Sequence, residues 1–306
     1  MQAKIEAERL LFIRLNQNKL RTDEYIHLRD AVANDGDVEN LGRLVILPST
    51  FIGSPRHMLQ YAQDVMAYVR KYGRPDLFIT FTCNSSWKEI KDELQFGQKS
   101  HDRHDLIARV FKQKQVKFIN AIVKSCIFGN VNSWMFSIEW QKRGLPHSYN
   151  LIWLKEKIHS NQIDDVIKAE FPNPVEDPVL YEIIVKQMIH GPCGALNMQS
   201  PCIKDNKCSK RYPRSFLSET QTGDDGYPQY RRRPPSEGGF TAKIRVRGEE
   251  IEIDNRWVVP YNPLLSKMFN AHINVEYCSS VQSIKYVCNY INKGSDMAVF
   301  EITNEN

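Results

Sequence analysis

"WMFSIEWQKRGLPHSYNLIWL" runs from Trp134 to Leu154 and reads as two β-strands folded back on each other. Trp134, Phe136, Ile138 and Trp140 alternate with a second series that contains Ser137, Glu139 and then Gln141. Side chains two apart fall on one face of a pleated strand. "KRGLP", Lys142 to Pro146, supplies the glycine and proline of a short connection. The second strand, His147 to Leu154, ends on four apolar residues, as a buried strand does. It opens on His147 and Tyr149, which share a face. With Glu139 or Gln141 across the hairpin, that face has the donor chemistry of a divalent-cation site. A lone histidine on a strand is more often a hydrogen-bonded structural residue, so the spacing alone leaves both readings open.

Outward from this hairpin, helical and extended patterns alternate. Residues 2–33 read as helical, and so does Gly53–Gly73, with Ser54 as its cap, Pro55 in its first turn and Gly73 at its end. Met58, Leu59, Val65, Met66 and Val69 form the apolar stripe of that helix. Asp76–Thr82 reads as a buried strand. His104–Gly129 reads as a helix with Ile107, Val110, Phe111, Phe118, Ile119, Ile122 and Val123 inward. Glu176–Gly191 is a helix capped by Asp177, with Pro178 behind it. "AKIRVRGEEIEID" is a hairpin. Asn270–Cys278 is an alternating strand with His272, Asn274 and Glu276 on one side. Ser279–Gly294 is a last helix, and on it Tyr286 and Tyr290, four apart, project from one face. Two tyrosines at that spacing are usually core. The pattern predicts an α+β fold, an antiparallel sheet flanked by helices with a loop-rich Cys/basic insertion. It divides into a helical segment at 1–45, a domain at 46–294 with the insertion at 190–240, and a tail at 295–306.

The chain has 306 residues, 42% of them apolar and 25% charged. No apolar run approaches the about 18 residues a membrane helix needs, and the N-terminus lacks a signal-peptide profile; an intracellular protein with no membrane partner is expected. The net charge is +5. Basic residues crowd Lys204–Arg214, Arg231–Arg233 and Lys243–Arg247, which fits a phosphate-facing surface or a solvated face equally well. Arg211, Arg231, Arg232, Arg233, Lys243, Arg245 and Lys293 are the candidate phosphate contacts, and Trp87, Trp140 and Tyr230 the candidate stacking surfaces for bases. Of seven cysteines, Cys83, Cys126, Cys278 and Cys288 are scattered and read as buried thiols. His190, Cys193, Cys202 and Cys208 are spaced H-x2-C-x8-C-x5-C. One histidine and three cysteines make a tetrahedral zinc set, in a region too poor in apolar residues to fold on a core of its own. Free thiols in a loop are the alternative, since the C-x-x-C pairing of ordinary fingers is absent. No G-x-x-x-x-G-K-[ST] occurs, which leaves no P-loop, no nucleotide partner and no ATPase.

"LPSTFIGSPRHMLQYAQDVMAYVRKYGRPDLFITFTCN", "IEWQKRGLPHSYNLIWL", "MIHGPCG", "CSKRYPRSF", "DNRWVVPYNPLLSKMFNAHINVE" and "IKYVCNYINKG" occur in this order between about Glu6 and Gly294. Together they resemble the replication-initiator region of Helitron transposases, the Helitron helicase-like N-terminal domain. That family is of the His-hydrophobic-His, two-tyrosine endonuclease type that initiates rolling-circle replication. The resemblance implies a nuclease core in which two histidines and a third polar ligand hold Mg²⁺ or Mn²⁺. It also implies that a tyrosine attacks single-stranded DNA to give a 5′-phosphotyrosine. Carried over, the metal residue is His147, with Glu139 or Gln141 as third ligand and His272 as a further candidate; the tyrosines are Tyr286 and Tyr290. The family strand has a second histidine where Tyr149 stands, which implies a weakened metal site and impaired nicking. A working enzyme completed by Tyr149 or His272 is the alternative. A third reading is an inactive remnant or a zinc-stabilised interaction module. Relatives carry a helicase domain after this region, so the chain is expected to be a fragment, a truncated copy or a domesticated piece, acting in the nucleus.

Overall fold

The computed structural model describes residues 2–20, 47–48, 50–51, 54, 63, 66–141, 144–194, 196–223, 227–246 and 248–278. It divides into two units, Met1–Ala67 with Asn292–Asn306, and Tyr68–Ile291. In the first, helix α1 (Gln2–Leu15) is followed by a 3-10 turn, Gln17–Leu20. Arg9 Nη2 donates to the Thr50 carbonyl at 2.9 Å, and its guanidinium lies 5.5 Å from the Phe51 ring centre. The helix expected beyond residue 20 lies outside the described residues. Of the helix expected over Gly53–Gly73, residues 66–72 are described and helical. Gly73, at φ +76°, closes it with its N–H on the Val69 carbonyl at 2.9 Å. Met66, expected in the inward stripe, is 43% exposed.

The second unit is a mixed α/β structure built on one antiparallel sheet. Its elements are β1 (Leu77–Thr82), α2 (Lys88–Lys91), α3 (His104–Val123), β2 (Val131–Trp140), β3 (Pro146–Leu154), α4 (Ile163–Val166) and α5 (Pro178–Gln187). Then come the two-residue pairs β4 (Ile203–Lys204) with β5 (Lys207–Cys208) and β6 (Gln221–Thr222) with β7 (Pro228–Gln229). The hairpin β8 (Ala242–Val246) and β9 (Glu249–Ile253), helix α6 (Pro263–Phe269) and β10 (Ile273–Tyr277) complete the order. The main sheet runs β10-β1-β3-β2, every pair antiparallel.

One face of this sheet packs on α3. Leu77, Ile79 and Phe81 of β1 alternate inward and meet Ile152, Ile273 and Val275 from the flanking strands and Phe111, Phe118 and Ile122 from the helix. Phe81 is the hub, stacked on Phe118 at 4.7 Å with Phe111 and Phe269 each at 5.3 Å. The core contains one polar knot. Gln115 Nε2 donates to Asn150 Oδ1 at 2.8 Å, Ser148 Oγ donates to Gln115 Oε1 at 2.7 Å, and Asn150 Nδ2 donates to the Ile79 carbonyl at 3.0 Å. Asn150, a polar residue on a strand that otherwise ends in apolar ones, is therefore fully served by its neighbours.

Two expectations are corrected here. Helix α3 stops at Val123, six residues before Gly129, because Cys126 (φ +50°) and Gly129 (φ +97°) turn the chain into β2. Cys126 is exposed, whereas Cys83 and Cys278 are buried as expected, and Cys288 lies outside the described residues. Trp134, Phe136, Ile138 and Trp140 share the α3 face yet are 38–44% exposed. The helix reaches over β3, through Gln115, and leaves the edge strand β2 uncovered.

A second apolar cluster gathers Phe171, Leu180, Ile184, Met188, Trp257, Val258 and Tyr261 around α5 and the β8–β9 hairpin, and Cys193 belongs to it. The Asp177 side chain accepts from the Leu180 N–H at 3.1 Å, capping α5 as its sequence indicates.

Candidate metal centres

The face of the sheet away from α3 carries two polar rows. In the first, Glu139 of β2 stands opposite His147 of β3, and His147 opposite Thr82 of β1. The Thr82 N–H donates to the His272 carbonyl at 3.0 Å, which sets His272 at the end of the same row. In the second row Ser137, Tyr149, Thr80 and Asn274 are successive partners. Period two does this: every residue named is an even number of positions from the next on its own strand.

The imidazoles are neutral. Burial, and secondarily the His272 ring, pushes His147 down to about 4, and burial lowers His272. An imidazole must be neutral to ligate a metal, so both satisfy that condition. His272 Nδ1 lies 2.7 Å from the Gln187 carbonyl, which can only accept. Nδ1 therefore carries the hydrogen and Nε2 keeps its lone pair for a ligand. At His147 the arrangement differs. Gln141, just past β2, places Nε2 3.1 Å from His147 Nδ1. A donating amide assigns the proton to the far nitrogen; exchanging the amide O and N would reverse the tautomer. Gln141, a candidate third ligand by sequence, thus sits at the imidazole as its orienting partner.

Tyr149 is 5% exposed and its ring lies parallel to Phe78, 6.1 Å away. Each polar row holds an oxygen that is buried without a hydrogen-bond partner, Thr82 Oγ1 in the first and Asn274 Oδ1 in the second. Orphaned buried oxygens are uncommon, and two on the face that carries the histidines fit a polar ligand over it. Thr82 escaped the sequence reading because strand order, which sets β1 beside β3, leaves no mark in local pattern. Tyr286, Tyr290 and Lys293 lie outside the described residues.

A second centre lies in the loop between α5 and β8. One ligand atom from each of His190, Cys193, Cys202 and Cys208 lies within 4.8 Å of the others. Cys208 Sγ is 3.4 Å from His190 Nε2, and the His190 ring stacks on Tyr212 at 4.3 Å. The short pair β4–β5 holds Cys208 opposite Ile203, the neighbour of Cys202. Burial, reinforced by Arg214 and Lys210, keeps His190 neutral. The thiols split: burial and its thiol neighbours push Cys193 up to about 12. Burial also acts upward on Cys208, but backbone N–H groups of Tyr212 and Lys210 and the other two thiols outweigh it and lower that group. The set has the residue types and closeness of a structural zinc centre.

The basic clusters prove heterogeneous. Arg211, Lys243 and Arg245 are exposed, Lys243 with Glu250 at 3.4 Å. Arg232 is buried, and Arg231 and Arg233 face Glu170 at 3.4 and 2.8 Å. Of the three aromatics expected to stack bases, Trp87 is buried and donates to the Phe269 carbonyl at 2.6 Å, and Tyr230 is buried with its hydroxyl on Glu276 at 3.0 Å. Both are corrected to structural roles; Trp140 is exposed.

Residues 1–152 match the model of the family described as the Helitron helicase-like domain at the N-terminus. The match supports a Helitron transposase N-terminal region. It takes in β1, α3, β2 and β3 as far as Ile152, and with them Glu139, His147 and Tyr149. His272 and the His/Cys cluster lie beyond it. No curated protein matches the chain.

Proposed function

We propose that this Helitron-related chain is a rolling-circle transposition initiator that binds single-stranded DNA, with tyrosine-dependent nicking impaired by Tyr149. The observation that carries the reading is the row Glu139–His147–Thr82–His272 on one polar face of the sheet. On this reading the sheet and α3 are the nuclease core of a domain spanning 46–294, and Tyr286 or Tyr290 supplies the nucleophile. Glu139, His147 and His272 would hold Mg²⁺ or Mn²⁺, a carboxylate and two neutral imidazoles being a reasonable set for either. A bound divalent ion would polarise the scissile phosphate. Gln141 orients the His147 ring, whose Nε2 is free to ligate when the amide oxygen faces Nδ1, and the Gln187 carbonyl keeps the His272 lone pair on Nε2. Tyr149 stands where the family has its second imidazole. A phenol with a pKa of about 10 is a poor ligand at neutral pH, and this one is packed on Phe78. His190, Cys193, Cys202 and Cys208 would hold a structural zinc. A helicase partner region and a nuclear site of action follow from the same family likeness.

The test is covalent trapping. The protein is incubated with end-labelled single-stranded DNA and Mn²⁺ and run on a denaturing gel. Tyr149→His is expected to raise the adduct roughly tenfold or more, as restoring a metal shell does, and Tyr286→Phe with Tyr290→Phe to abolish it. DNA binding without any adduct in Tyr149→His defeats the nuclease reading. The tautomer of His272 favours a second reading, an active enzyme completed by that ring. A strong wild-type adduct lost in His272→Ala would establish it.

A further inference from the structure

Between the cysteine loop and the outer edge of β10 lies a pocket of about 250 Å³. Arg211, Tyr212, Arg214, Gln229, Arg232 and Glu276 line it. Arg232 is only 3% exposed. Its Nη1 donates to the carbonyls of Ala169, Asn255 and Val258 at 2.8, 2.9 and 2.7 Å. Among the described residues its Nε and Nη2 have no hydrogen-bond partner, and the guanidinium has no carboxylate within ion-pair distance. A buried cation left without an ion pair is costly, and the cost falls when an anion joins it.

The rim adds to the positive field. Arg211 and Arg214 are exposed, and the Arg214 guanidinium lies over the Tyr212 ring at 5.1 Å. Gln229, on β7, offers an amide. The one acid in the lining, Glu276, accepts from the Tyr230 hydroxyl at 3.0 Å and from Asn274 Nδ2 at 3.3 Å. Three guanidinium groups thus face one engaged carboxylate. Arginine forks match the oxygens of a phosphate in spacing and charge.

We propose that this pocket binds a phosphate group, with Arg232 at its floor and Arg214 and Arg211 at its mouth. The site stands apart from the nuclease reading, because it asks nothing of His147 or of the tyrosines. Its phosphate comes from a nucleic-acid backbone or from a free phosphorylated compound, and the experiment separates the two.

Inorganic phosphate is titrated calorimetrically into the full chain at fixed ionic strength. A labelled single-stranded oligodeoxynucleotide is followed by fluorescence polarisation, alone and with phosphate as competitor. Arg214→Gln removes a rim cation, and Gln229→Glu adds a carboxylate at an exposed position, so neither should disturb folding; circular dichroism checks this. Each is expected to weaken phosphate binding roughly tenfold, the worth of a charge-assisted hydrogen bond. Glu276→Gln, which removes the opposing charge, is expected to tighten it. If oligonucleotide affinity falls in the same two variants, the source is the backbone. If phosphate affinity alone responds, the source is a free phosphorylated compound. If neither ligand responds to Arg214→Gln and Gln229→Glu in folded protein, the proposal is overturned.

Discussion

Gln115 stands in the middle of the inward face of α3, where a reader of sequence would want leucine. Its amide serves two other buried polar residues, Ser148 and Asn150. Gln115→Leu should therefore destabilise the protein by about 2–4 kcal/mol in urea unfolding, since each orphaned partner costs about 1–3 kcal/mol. Replacing all three by apolar residues of similar size should recover most of that loss, because only backbone carbonyls, that of Ile79 among them, then lose a side-chain donor. Glu170 makes the opposite kind of buried contact. It accepts from the Arg233 backbone N–H at 2.6 Å, Nε at 3.0 Å and Nη2 at 2.8 Å. Burial alone would raise this carboxyl, but the Arg233 bonds and the Arg231 charge hold it below its ordinary value. A depressed folded pKa gives stability that is complete above the unfolded value, about 4.3, and is lost as acid carries the pH through the folded one. Glu170→Gln is thus expected to destabilise by about 3 kcal/mol at pH 7, with the two unfolding curves converging as the pH falls below the unfolded value and through the folded one. At this scale the sequence was informative wherever period two applied. His147, Tyr149 and Glu139 could be assigned to one face because alternation along a hairpin is a local property. The burial of Arg232 could not, because three carbonyls from distant segments create it.

Strands and helices were legible as units, and their neighbours were not. The alternation of β2 sorts Trp134, Phe136, Ile138 and Trp140 from Ser137 and Glu139, but only the position of α3 decides that the apolar set stays exposed on the helix side. Strand β1 lies between β3 and β10, so Thr82 comes under His147 through pairings far apart in sequence. Helix α6 has just seven residues, too few for a period to register, though Asn262 and Pro263 mark its start. On the zinc reading, the loop from α5 to β8 would depend on its histidine and cysteines. Elemental analysis should find one zinc per chain. Chelation, or Cys208→Ser, should expose residues 190–232 to protease while the unfolding signal of the sheet and α3 persists, since a metal-dependent loop loses its fold with its ion. Cleavage patterns identical with and without chelator would refute that dependence.

Charge acts over the whole molecule. With a net +5 and several cations exposed around the cysteine loop and β8, single-stranded DNA should bind with a log–log salt slope of roughly −2 to −4, at about −0.7 per phosphate neutralised. A flat dependence would mean that these cations do not meet a backbone. Arg231 and Arg233 should contribute little to that slope, because Glu170 already engages them. The sheet order also has a consequence for synthesis on the ribosome. Three adjoining strands are complete once Leu154 has been translated, but β10, which covers the free side of β1, begins at Ile273. At about 5–20 residues per second, the nascent chain waits roughly ten seconds with the middle of its future sheet ending in open backbone. A protein built in that order is most exposed to chaperones, and to wrong pairing with its neighbours on a polysome, before its last strand emerges.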